Sequence, residues 1–177
     1  LREPFSTCTF GSLVDEYYPD QEFAQPFIKV PVVNPERTFL EKIFLLHEEF
    51  HKPLEKIRVD RLSRHLYDVV KLSRTPIADS AFEDKELYST IVEHRHKFTR
   101  VGGVDYNLLQ PQSIDPLPTP EFVKAWHADY NLMVERMIYE EKAPTFEEIL
   151  TEMTELRTRI NGLPWKFEME FAKPNPQ

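Results

Sequence analysis

Apolar residues near the start of the chain come in short runs. Phe5 to Phe10 (FSTCTF) and Phe27 to Val33 (FIKVPVV) are rich in aromatic and β-branched residues. Such runs predict two strands, separated by a turn-prone acidic stretch around Pro19 and Asp20. From residue 34 the spacing becomes helical. Asn34-Pro35 is a helix-start signal, and Thr38 with Glu41 offers a capping box a few residues later. Leu40, Ile43, Phe44 and His47 then share one face, and the helix is expected to end near His51, before Pro53. Leu62, Leu66, Val69 and Val70 form the stripe of a second helix over 59–72, with Arg61, Arg64, Asp68 and Lys71 on another face. Pro76 is expected to end this unit.

A shorter helix is expected over 84–94. The segment 101–118, with Gly102-Gly103 and several prolines, reads as an irregular connection. Thr119-Pro120-Glu121 opens a further helix, through Trp126 and Met133 to about Tyr139. Thr145 with Glu148 is another capping box, and the helix it opens runs through Ile149, Met153, Leu156 and Ile160. Gly162-Leu163-Pro164 closes it, and the tail beyond is expected to be loose. The pattern predicts an α+β fold, mainly α: two short strands followed by a bundle of about five helices. Two strands do not make a stable sheet by themselves, so this sheet is expected to be incomplete.

Composition narrows the class. The chain has 177 residues, 41% hydrophobic and 29% charged, enough to bury a core without staples. One cysteine, Cys8, allows no internal disulfide and fits a reducing, cytoplasmic setting. No apolar run is long enough to span a bilayer, so no membrane partner is expected. The net charge of -8 argues against broad coating of nucleic acid, and no DNA partner is expected. It leaves room for a local basic patch.

Four patterns suggest chemistry on their own residues. His47-Glu48-Glu49-Phe50-His51 matches the H-E-x-x-H zinc helix, in which two imidazoles bind the metal and Glu48 acts as base. The charges at Glu49 and Lys52, the stop at Pro53 and the absence of a close third ligand favour a plainer reading. In it, two histidines meet the dipole at a helix C-terminus. A zinc hydrolase is therefore the weakest functional alternative. Asp20 and Glu22, downstream of Gly11-Ser12, are a carboxylate pair of the kind that holds Mg²⁺. Their spacing is short, however, and their segment reads as a turn. Gly102-Gly103 lacks the flanking strand and helix of a phosphate loop and reads as a turn. His94-Arg95-His96 with Lys97 and Arg100 is a basic cluster, more often a solvated helix end than a phosphate site.

A fifth pattern carries a resemblance. The stretch from Asn34 (NPERTFLEKIFLLH), followed by Arg61-Leu-Ser-Arg-His-Leu-Tyr-Asp, resembles the AbiEii/AbiGii toxin family of nucleotidyltransferases. The family pattern is a P-E-R-T-x-x-E-K helix and then an R-D-x-x-D or R-x-x-x-x-Y-D helix. The resemblance implies transfer of a nucleotide from an NTP, with Mg²⁺, to an RNA (tRNA included) or protein acceptor. It also implies a bacterial toxin of a toxin–antitoxin or abortive-infection system, with a cognate antitoxin as partner. Lys42 matches the family's Lys and would neutralise the triphosphate. Asp68 matches its acidic residue and would orient that Lys or an incoming hydroxyl. Arg64 and Arg61 would meet phosphate, or Arg64 would hold the Asp68 carboxylate. Where many members carry Asp, three residues before the final Asp, this chain has His65.

The resemblance further implies that residues 1–75 are the C-terminal part of the nucleotidyltransferase core and 76–177 a helical C-terminal domain. The family's Gly-Ser turn and Asp-x-Asp strand are expected before Leu1, so this chain alone is expected to be inactive. A non-catalytic helical module that binds an antitoxin or RNA is the main alternative.

Overall fold

A computed structural model of the chain describes residues 5–174. Its first strand, β1 (Phe5–Phe10), pairs antiparallel with β2 (Ile28–Val33), in a register running from Phe5 opposite Val33 to Phe10 opposite Ile28. Between them lies a short helix, α1 (Leu13–Tyr17), which the apolar pattern did not suggest. Ser12 starts it by accepting the amide protons of Val14 and Asp15 on its hydroxyl, at 3.1 and 3.3 Å. Most of the hairpin is exposed. Phe5, Phe10, Ile28, Val32 and Val33 all face solvent, so among the described residues little covers the apolar side chains that make these strands.

The helical part behaves differently. Among the described residues it contains α2 (Pro35–Phe50), α3 (Ser63–Ser73), α4 (Pro76–Glu83), α5 (Lys85–Phe98), α6 (Pro120–Met137) and α7 (Phe146–Asn161). Helix α2 is the axis of the bundle and packs against α3, α4 and α5, while α3 packs on α6 and α7. One hydrophobic cluster joins residues from both sides of position 75, with Phe39 against Phe82 and Phe50 against Trp126. The architecture is α+β and mainly α, as the pattern predicts.

The boundaries show which local signals held. Pro35 occupies the first turn of α2, but Asn34 makes no cap with its side chain. Its Oδ1 accepts instead from the Ser6 hydroxyl at 2.8 Å, tying the hairpin to the helix start. The Thr38–Glu41 pattern lies inside the helix and starts nothing. Pro76 does not only end a unit: with Thr75 as N-cap it opens α4, since a proline missing its N–H fits the first turn as well as a stop. The capping box at Thr145 and Glu148 forms in both directions and starts α7.

Helix α3 begins at Ser63, not Val59. Arg61 sits in the left-handed region at φ 58°, which no other described non-glycine residue adopts. The carboxylate of Asp129, on α6, accepts the amide protons of Arg61 (2.8 Å) and Ser63 (3.0 Å). The start of α3 is thus capped by a residue from another helix.

The expectation of a loose tail is overturned as far as Phe171. Phe167 is buried, and its N–H and C=O both bond the side-chain amide of Gln110. Asn107 does the same for Phe171, and Gln112 donates to the carbonyls of Leu163 and Trp165. The irregular segment 101–118 supplies amide side chains that satisfy an otherwise unpaired backbone, which lets the aromatic residues of the tail pack.

Candidate functional site

The P-E-R-T-x-x-E-K stretch separates into structural and outward-facing parts. Pro35 starts α2. Arg37 is buried and pairs with Glu41 one turn on, at 2.9 Å. Lys42, the next residue, reaches across to α3. Its Nζ lies 2.8 Å from Oδ2 of Asp68 and 3.5 Å from Nδ1 of His65. Two residues far apart in sequence, each singled out by its motif, therefore meet. Asp68 takes Lys42 as its partner rather than Arg64. The pair is half-buried: the Lys42 side chain is 22% exposed and that of Asp68 40%. An ammonium has three donors, so Lys42 keeps at least one for a ligand arriving from solvent.

His65, where the chain departs from the R-D-x-x-D pattern, lies in this cluster. Burial, then Lys42 and Arg64, lower its pKa to about 4, against the opposing pull of Asp68. It is neutral at pH 7, and its Nδ1 faces Lys42 as an acceptor. A second carboxylate there would share the Lys42 charge. A neutral imidazole leaves one anion for one cation and more positive field for an incoming phosphate.

One turn before Asp68 a cavity of about 270 Å³ opens between the start of α3 and the last turns of α6. Arg61 and Arg64 line it, as does Arg136, which sequence reasoning missed. Nothing local marks Arg136. Its only signal is a helical spacing of seven from Asp129, and that becomes informative once Asp129 is known to cap α3.

The other candidate groups go elsewhere. His47 is fully buried and its Nδ1 accepts the amide proton of Asp115 at 3.0 Å. Burial, and secondarily His51, lower its pKa to about 3. It is therefore neutral and adds no charge to the helix end. His51 stacks on it, ring centroids 3.9 Å apart, and its Nδ1 donates to the His47 carbonyl at 2.8 Å. Glu48, the would-be base of a zinc site, accepts both arms of Arg95, at 2.8 and 2.5 Å. The same bond pulls Arg95 inward, out of the basic cluster at 94–100. There His96 lies against the rings of Tyr106 and Phe171, and Lys97 pairs with Glu93. Gly102 and Gly103 form a turn. Gly103 has φ 86°, and a Cβ on it would come within 2.9 Å of Pro53.

Asp20 and Glu22 lie in an exposed turn before β2. A divalent ion needs several converging oxygens. The carboxylate beside Lys42 is already engaged by that lysine, and no group of three or more acidic, His or Cys side chains converges among the described residues. The residues described do not fit a Mg²⁺ site.

The family model described as nucleotidyl transferase AbiEii toxin, type IV toxin–antitoxin system, matches residues 1–152. The chain belongs to the AbiEii toxin family. That match covers both helices of the Lys42–Asp68 pair and the whole of α6, so the cavity lies within the AbiEii region. No curated protein and no solved structure matches the chain. The AbiEii assignment makes this a domain of a toxin–antitoxin nucleotidyltransferase. No helix among the described residues is long and apolar enough to cross a membrane.

Proposed function

We propose that the α2–α3 face holds the nucleoside triphosphate of a nucleotidyl transfer to an RNA acceptor. The observation that carries this reading is the Lys42–Asp68 contact, in which two motif residues of the AbiEii region come together while staying open to solvent. Lys42 neutralises triphosphate charge as a point cation on a rigid helix. Asp68 aims the ammonium. Arg64, on α3, and Arg61, just before its start, extend the positive surface, which suits a polyanion on a chain that is acidic overall. His65, neutral, adds an acceptor without adding charge. The Mg²⁺ that such transferases use would be held by groups other than the described carboxylates. Taken alone, this chain is expected to bind NTP and transfer none, in a cytoplasmic setting and under control of a cognate antitoxin.

Equilibrium binding of NTPs tests the reading. Lys42→Ala is expected to weaken NTP binding at least about tenfold, the scale of one charged hydrogen bond. Unchanged binding in that variant would overturn the proposal. Incubation of the chain with labelled NTPs, Mg²⁺ and a tRNA pool is expected to label nothing. Metal-dependent labelling would refute inactivity and bring Asp20 and Glu22 back as ligands. A second reading, a non-catalytic module that binds an antitoxin, draws on the exposed apolar hairpin. Under that reading NTP binding is absent and a complex with the antitoxin is stable.

A further inference from the structure

We infer that the cavity between α3 and α6 is a nucleotide-unit subsite, with Arg136 as a binding residue that completes it. The inference rests on the reading of Lys42 given above and adds the part of the ligand that is not triphosphate. Three arginines, Arg61, Arg64 and Arg136, line one cavity. Among the described residues, none of the three is paired with a carboxylate. That contrasts with Arg58, Arg74, Arg95, Arg157 and Arg159, each of which has an acidic partner. Asp129 lines the same cavity, but its two oxygens accept backbone amides at the start of α3. The buried hydroxyl of Ser63, another lining residue, has no hydrogen-bond partner.

The rest of the wall is apolar. Leu132, Met133 and Met137 come from α6, and Leu132 and Met137 remain exposed at 41% and 52%. A simple anion would use the guanidiniums and leave this wall idle. A nucleotide uses both. Its phosphate meets the arginines, and its flat base lies against thioether and alkyl groups, or stacks on a guanidinium plane.

Position supports the same ligand. Arg64 and Asp68 are one turn apart on α3, about 6 Å along its axis. The electrostatic field at His65 already includes both Lys42 and Arg64. A nucleotide seated in the cavity can therefore extend further phosphates past Arg64 toward Lys42. The nucleotide unit has two possible sources, the donor NTP and the terminal nucleotide of an acceptor RNA strand.

The test measures binding of three probes to the full chain: each of the four NTPs, inorganic tripolyphosphate, and a short single-stranded RNA. Arg136→Ala, Arg136→Lys, Leu132→Asp and Lys42→Ala are compared with the parent. Arg136 and Leu132 are exposed, so the variants are expected to fold, and thermal unfolding checks it. Arg136→Ala and Leu132→Asp should each weaken binding of NTP or RNA about tenfold. Arg136→Lys should restore only part, because an ammonium does not stack as a guanidinium does. Tripolyphosphate binding should fall with Lys42→Ala, and with Leu132→Asp it should fall less than NTP binding does, since only the added charge and not the lost apolar contact acts on it. A loss confined to NTP assigns the cavity to the donor, and one confined to RNA assigns it to the acceptor end; either supports the subsite. If Arg136→Ala and Leu132→Asp leave NTP and RNA binding intact, or the parent binds neither, the inference is overturned. NTP binding that still depends on Lys42 in the first case would leave the reading of Lys42 standing.

Discussion

Helix α2 carries two sets of ionic contacts that behave in opposite ways. Near its C-terminus Glu48 and Glu49 are almost fully buried, at 2% and 1% exposure. Every oxygen there has a partner. Glu48 accepts both arms of Arg95, while Glu49 accepts from Lys52 at 2.6 Å and from the Arg58 backbone at 2.7 Å. Its second oxygen also takes the Arg58 guanidinium at 2.8 Å. Burial pushes the Glu49 pKa up, but the bonds from Arg58 and Lys52 outweigh it and hold the group ionised. Less than two turns earlier, Lys42 and Asp68 form one half-exposed bond with donors and acceptors to spare. The first set is saturated and holds the fold. The second is unsaturated, as the proposed ligand-facing role requires. Charge on a helix therefore says little about role until burial and saturation are known.

The largest effect should come from breaking the saturated set. Arg95→Ala leaves Glu48 buried without a cation, a defect that costs about 3–5 kcal/mol. Denaturant unfolding should show that loss. A change below about 1 kcal/mol would mean that water reaches Glu48, and the contrast between the two sets would fail.

Next in size is the pH response of His47, which sits in the same buried turn. Its folded pKa, about 3, lies below the unfolded 6.5, so between those values the unfolded chain binds the extra proton. Stability should therefore fall as pH drops from 6.5 toward 3, with a slope approaching about 1.4 kcal/mol per pH unit from this residue. His65, lowered to about 4, adds to the fall in the upper part of that window. His47→Gln, which keeps an acceptor for the Asp115 amide, should flatten the slope in urea unfolding measured at several pH values. An unchanged slope would assign the acid sensitivity to other groups.

Gly103→Ala should cost about 1–3 kcal/mol, because alanine is strained at φ 86° and its Cβ meets the Pro53 ring. The loss should appear in thermal unfolding. An alanine variant as stable as the parent would show that the 101–118 segment shifts freely around this turn.

How much of this was legible in advance follows the range of each contact. Lys42 and Asp68 lie on helices announced by local spacing, so their motifs could be placed before any fold was known. The two strands were legible from β-branched runs. Helix α4 was not, because Pro76 signals a stop and a start with the same chemistry. Asp129 as the cap of α3 was hidden, since the contact spans 66 residues. Arg136 was hidden behind it. The packed tail was hidden too, because its backbone is satisfied by Gln110, Gln112 and Asn107, and no local pattern names such partners. The inward turn of Glu48 and Arg95 was hidden as well: both stretches read as solvated helix ends, and the pairing of the two spans 47 residues.

The smallest stability effect should belong to Asp68, on the proposed ligand-facing side. Asp68→Asn removes the charge opposite Lys42 but keeps an oxygen that can accept from it. Half-exposed ion pairs contribute about 0–1 kcal/mol, so unfolding should shift by less than that. Ligand binding need not follow. With Asp68 neutral, Lys42 loses an anion that competes with phosphate, but it also loses the group that aims it. If aiming dominates, NTP binding weakens while stability holds, and salt weakens it further as for any exposed charge. If competition dominates, NTP binds more tightly to Asp68→Asn than to the parent. Either result, with stability unchanged, separates this pair from the buried set at Glu48 and Glu49. A stability loss of several kcal/mol would place Lys42–Asp68 in the same class as the buried charges, and the reading of it as a ligand-facing pair would fall.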